Sequence, residues 1–177
     1  MRPLLPRTPR LDGDDASARR REIRDYFHAT FERYESLFET LANDAAWLVK
    51  PIALRHPLIF YYGHTATFFV NKLVLAGLLP ERLDPGLEAV CAVGVDEMSW
   101  DDLDDAHYDW PSPTRVRAYR QRVRAAVDAL IERLPLALPI TWESPWWAIL
   151  MGIEHERIHL ETSSVLIRQH ALEHVRP

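Results

Sequence analysis

The chain has 177 residues, 47% of them hydrophobic and 27% charged, which fits one globular domain and argues against a disordered segment. Its 21 basic and 26 acidic side chains leave a formal charge of −5, which gives no support to a general nucleic-acid binder. A single cysteine, Cys91, excludes an internal disulfide or a cysteine-rich zinc site and leaves the eight histidines as candidate metal ligands.

No stretch has the length and apolarity of a membrane span. The start of the chain, MRPLLPRTPRLDGDD, lacks the apolar core of a signal peptide, so a cytoplasmic protein is expected.

Residues 1–13 read as a flexible arm, rich in Pro and Arg and without periodicity. A first helix is predicted from Asp14, with Asp14, Asp15 and Ser17 as candidate caps. Ile23, Phe27, Phe31, Tyr34, Phe38 and Leu41 recur along it at three- and four-residue steps, giving one apolar stripe. Residues 44–56 form a connector with Pro51, in which Ala46–Val49 has the pattern of a short extended piece. Pro57 is placed to open a second helix, whose one side carries Phe60, Tyr61, His64, Phe68, Asn71 and Leu75; Gly77 and Pro80 end it.

A long crossover follows over residues 80–113, punctuated by Pro80, Pro85, Pro111 and Pro113. Its stretch from Asp96 to Asp109 is acidic and holds no Lys or Arg, and Ser99 with Asp102 is a candidate cap for a short turn. A connection this long covers a site, serves an interface, or is a solvated loop. A third helix is predicted from Ser112–Pro113 to about Leu134, with Val116, Tyr119, Val123, Val127 and Leu130 on its stripe. The fourth runs from Ser144–Pro145 to about His170. Four amphipathic helices with one long crossover predict an all-α four-helix bundle spanning 14–177.

The fourth helix carries the strongest chemical signal. His155 and His159 are one turn apart and project from one face, which also holds Ala148, Met151, Gly152, Thr162 and Leu166. Two imidazoles on an apolar face need partners for their nitrogens. A divalent metal supplies them at this spacing; carbonyls or hydroxyls are the other way to do so. Glu161 lies about 200° around the helix from His159, so an ion pair with Arg157 is expected there, not a ligand role.

A third ligand must then come from another helix. His64, among Phe60, Tyr61 and Phe68, is the best candidate. Three imidazoles on one face leave open positions and suit Fe(II) or Zn(II). His170 and His174 share the same spacing but have little apolar context, and read as a solvated tail. His28 and His56 read as surface or connector residues, and His107 lies in the acidic stretch without an assigned role. On the third helix Arg117, Arg120 and Arg124 share a face: either a solvated one or a clamp for substrate carboxylates.

Three segments carry a family resemblance: HPLIFYYGHTATFFVNKL (56–73), GVDEMSWDDL (94–103) and MGIEHERIHLETSSVLIRQ (151–169). They closely resemble the N-terminal domain of the ovothiol-pathway 5-histidylcysteine sulfoxide synthases. More distantly the chain is similar to the ergothioneine-pathway sulfoxide synthases and to DinB-like metal-binding bundles. The resemblance implies a non-haem Fe(II) on His64, His155 and His159, and O2-dependent coupling of cysteine to the histidine imidazole with oxidation of sulfur to the sulfoxide. It also implies contacts from an Arg-x-x-Arg pair to substrate carboxylates, matched here by Arg117 and Arg120. Enzymes of that family continue into a formylglycine-generating-enzyme-like domain, which this chain does not contain, so that domain is an expected partner in cis or in trans. Neither nucleic acid nor membrane is expected as a partner. Two other readings use the same residues differently: a DinB-like Zn-dependent thiol transferase, and a non-catalytic helical docking module.

Overall fold

A computed structural model describes residues 6–92 and 108–176. The described residues are helical, without a named strand: α1 (Ala16–Phe38), α2 (Ala45–Leu48), α3 (Leu58–Leu75), α4 (Pro85–Cys91), α5 (Pro113–Arg133) and α6 (Trp146–Ile167). α1, α3, α5 and α6 form the expected bundle, and α2 and α4 sit on its connections.

Local chemistry sets the helix ends. Asp15 Oδ1 accepts from the Ala18 N–H at 2.8 Å and starts α1. Ser112 Oγ accepts from Arg115 N at 3.3 Å, and Pro113 follows it at the first position of α5. At the end of α3, Gly77 takes φ +68, and the N–H groups of Gly77 and Leu78 bond back to the Val74 and Leu73 carbonyls at 3.0 and 2.9 Å. Only a residue free to adopt positive φ closes a helix in this way at no steric cost.

α3 is the central element. Fourteen of its 18 residues are buried, and it packs against α2, α4, α5 and α6. The stripe of α1 (Ile23, Phe27, Phe31, Tyr34, Phe38) is buried as expected. Gly152 sets the spacing of α3 and α6: a Cβ there would lie 2.3 Å from the Phe69 ring. The missing side chain lets α6 lie against that ring, which itself packs on Phe27 at 5.8 Å. α1 and α5 are tied end to end by Arg20, whose guanidinium donates to the carbonyls of Ile131, Glu132 and Leu134.

Several local expectations are corrected. Ala46–Val49 is not extended; α2 covers Ala45–Leu48. The crossover contains a helix, α4, capped by Asp84 and opened by Pro85. Leu75 is exposed, because the last turn of α3 leaves the core. Residues 8–12 of the expected arm lie on the bundle: Thr8 Oγ1 is 3.3 Å from the Tyr26 hydroxyl, Pro9 is buried, and the Leu11 carbonyl accepts from Ile140 N at 2.7 Å. Ser99, Asp102, His107 and the segment 94–103 lie outside the described residues.

Candidate metal centre

His64 projects from the middle of α3, and His155 and His159 from successive turns of α6. Each offers a ring nitrogen, and these three atoms lie within 4.8 Å of one another. The ring centroids stand 5.2 Å (His64–His155), 4.9 Å (His64–His159) and 4.5 Å (His155–His159) apart.

Surrounding groups fix the orientation of the rings. His64 Nδ1 donates to the Cys91 carbonyl at 2.9 Å, so its Nε2 keeps a free lone pair. That carbonyl belongs to the last residue of α4. Gly63 allows α4 to come this close, since a Cβ there would lie 2.5 Å from Cys91 Sγ. His155 stacks on Phe68 at 3.7 Å with the rings nearly parallel, and His64 stacks on Phe60 at 4.9 Å. Tyr61 lies 6.1 Å from His159.

The electrostatics favour neutral imidazoles. Burial, then the neighbouring His159, His64 and Lys72, push the pKa of His155 down to about 2. Burial and His64 lower His159 to about 4, and burial lowers His64. A neutral imidazole is the form that ligates a metal. His155 Nδ1 and His159 Nδ1 are buried without a hydrogen-bond partner. Unmet buried nitrogens beside a tautomer-locked histidine fit a bound cation, which would satisfy them.

The histidine pair differs from expectation in one respect. It does not face the centre of the bundle. The buried face of α6 is built from Ile149, Ile153, Glu156, Ser163 and Ile167, while His155 and His159 are half-buried at its edge, with Met151 and Ile158 exposed nearby. His155 thus also borders a groove of about 390 Å³, lined by Pro9, Leu11, Phe68, Trp147, Leu150 and Met151 among others. The cluster is protected from bulk water on one side and reachable on the other.

The arginine pair is not at this centre. Arg120 is fully buried, and its guanidinium donates to Glu156 Oε1 (2.6 Å), Thr65 Oγ1 (2.8 Å), the Tyr62 carbonyl (3.0 Å) and Glu35 Oε1 (3.4 Å). It also packs on the rings of Phe31, Tyr34 and Tyr62. Those bonds leave it closed to a substrate carboxylate, which corrects the expected clamp. Arg117 lies over Trp47 and lines a different cavity with Glu35 and Gln121, which none of the three histidines lines. Arg124 bonds Glu32 and His28.

Other expectations also shift. Arg157 pairs with Glu154 at 3.7 Å and packs on Tyr26, not with Glu161. His28 is half-buried, with Nε2 bonded to Asp128 at 2.7 Å. His56 is buried against Phe60, Tyr108 and Trp110. The Arg120–Glu156 pair was missed in the sequence; the one signal for it is the break that Glu156 makes in an otherwise apolar face of α6.

Comparison with known proteins identifies the fold family. Residues 8–163 match the DinB superfamily. The chain belongs to that superfamily. This DinB-superfamily chain is also similar to Ergothioneine biosynthesis protein 1 of Neurospora crassa, with 25% identity over 150 residues. That match covers 82% of the chain but 17% of the relative's length. Among the described residues, no helix is long and apolar enough to cross a membrane.

Proposed function

We propose that the chain holds Fe(II) on His64, His155 and His159 and serves as the iron-binding part of a sulfoxide synthase of the ovothiol type. The convergence of the three ring nitrogens within 4.8 Å of one another carries this reading. The similarity to Ergothioneine biosynthesis protein 1 supports the reaction class, and the motifs at 56–73 and 151–169 support the ovothiol branch. When bound, a ferrous ion with three neutral imidazoles would supply open positions and the electrons for O2-dependent oxidation at sulfur.

The chain's own residues do the positioning. The Cys91 carbonyl holds the proton of His64 on Nδ1 and aims Nε2 at the ion. Phe68 and Phe60 brace the faces of His155 and His64 and keep water off them. Depressed pKa values keep His155 and His159 unprotonated at neutral pH without metal, so binding displaces no proton from them. Cysteine, histidine and O2 are the proposed substrates. The remaining pocket walls come from a formylglycine-generating-enzyme-like domain in cis or in trans, and the setting is cytoplasmic.

The test is anaerobic loading with Fe(II) and with Zn(II), followed by turnover of cysteine and histidine in air with the second domain supplied. Iron-dependent formation of the cysteine–histidine sulfoxide, abolished by His155→Ala or His159→Ala, is expected. The same donor set suits Zn(II); a zinc-loaded chain that transfers thiols without O2 would replace this reading with a thiol transferase. Absence of any bound metal would leave a docking module.

A further inference from the structure

The second histidine pair, expected in a solvated tail, lies in a folded strap. Past α6 the chain makes a 3-10 turn at Leu172–His174 and returns to the end of α1. Val175 forms an antiparallel bridge with Leu41. Ala42 N donates to the His174 carbonyl at 2.9 Å, and Arg176 N to the Thr40 carbonyl at 2.7 Å. Asn43 Nδ2 adds a bond to the Glu173 carbonyl at 3.2 Å.

Within this strap His170 is only 9% exposed. Its ring lies beside the Ala46 backbone, and its Nε2 is buried and has no partner. His174 Nδ1 is likewise buried without a partner. The two rings stand 5.4 Å apart, close to the 4.5–5.2 Å spacings of the first cluster. Glu173 Oε1 is 3.9 Å from His174 Nε2, the far side of that ring, so the unmet Nδ1 is left for something else. Two unmet buried imidazole nitrogens on neighbouring rings are a cost the chain itself does not relieve.

We propose that His170 Nε2 and His174 Nδ1 form a second metal site, a two-imidazole clip for a divalent transition cation of the zinc, nickel or copper class. Water completes the coordination. Imidazole donors select these ions over magnesium or calcium. The ion ties the last turn after α6 to the strap, which is already bonded to Thr40, Ala42 and Asn43. Its role is to order this segment, independently of the three-histidine centre.

The probe is Zn(II), titrated into the chain against a competing chelator, with amide hydrogen exchange read at Ala42 and Arg176. The wild-type chain is expected to take two zinc ions. His155→Ala with His159→Ala should keep one, and zinc at about ten times its Kd should slow exchange at both amides about tenfold in that variant. His170→Ala and, separately, His174→Gln should each remove one ion while helicity by circular dichroism is unchanged. Survival of two-ion binding in both strap variants would overturn the proposal. So would binding only at millimolar zinc, the mark of an adventitious ion only. A chain that takes one ion, lost in the His155/His159 variant, sinks the clip and leaves the first centre standing. One ion lost instead in the strap variants sinks the first centre and leaves the clip.

Discussion

His155 and Glu156 are adjacent on α6 and are treated in opposite ways. Glu156 points into the bundle, where Arg120 meets its charge at 2.6 Å and Thr65 bonds the same oxygen at 3.4 Å. His155 lies at the edge with a buried nitrogen that no protein group meets. On the inner face Arg120 and its partners bond one another across α1, α3, α5 and α6, while Glu156 Oε2 stays without a partner. The outer face holds three imidazoles in register and leaves their lone pairs open. Arg120 is held within the chain and serves the fold; the three imidazoles converge with nitrogens left for a ligand.

That contrast is sharpest in the response to substitution. Arg120→Ala should destabilise the fold by about 3–5 kcal/mol, because it leaves Glu156 buried and uncompensated. Urea denaturation measures it. If the cost is under 1 kcal/mol, the inner face is not held by this pair. His155→Ala, in contrast, should leave urea stability nearly unchanged in the metal-free chain while metal binding at the three-histidine centre is lost.

Gly152→Ala tests the link between the two faces. Its Cβ would overlap the Phe69 ring, so α6 must move away from α3 and carry His155 and His159 from His64. A loss of about 1–3 kcal/mol and weaker metal binding are expected together. Gly63→Ala should act more locally, displacing Cys91 and its carbonyl from His64. Loss of such a supporting bond typically costs about 10–100-fold in metal affinity, measurable by chelator competition.

The two faces also differ in pH dependence. His155 and His159 titrate near 2 and 4 in the fold, against about 6.5 in the unfolded chain. Between those values the unfolded state binds more protons, so stability of the metal-free protein falls as pH drops below about 6.5. A Tm lower at pH 4.5 than at pH 7, with the difference reduced in the His155→Ala/His159→Ala variant, is the expected result.

The four long helices, and the caps of α1 and α5, were legible because three- and four-residue periodicity and Asp, Ser and Pro signals are local. The i, i+4 histidine pair was legible for the same reason, and His64 followed from its apolar neighbours. What lay hidden depended on distant partners. Arg120 looks like one of several surface arginines until α1, α3 and α6 close around it. His170 is buried only because the strap folds back on α1 and α2, and His56 only because Tyr108 and Trp110 cover it. The short helices α2 and α4 were missed because four and seven residues carry too little periodicity to register.

The most direct test is X-ray absorption spectroscopy of the chain loaded anaerobically with one equivalent of Fe(II), in wild type and in His64→Ala. Three imidazole ligands are expected in the wild type and two, with weakened binding, in the variant. An ion with the same imidazole count in both, or a wild-type chain that binds none, would contradict the three-histidine centre.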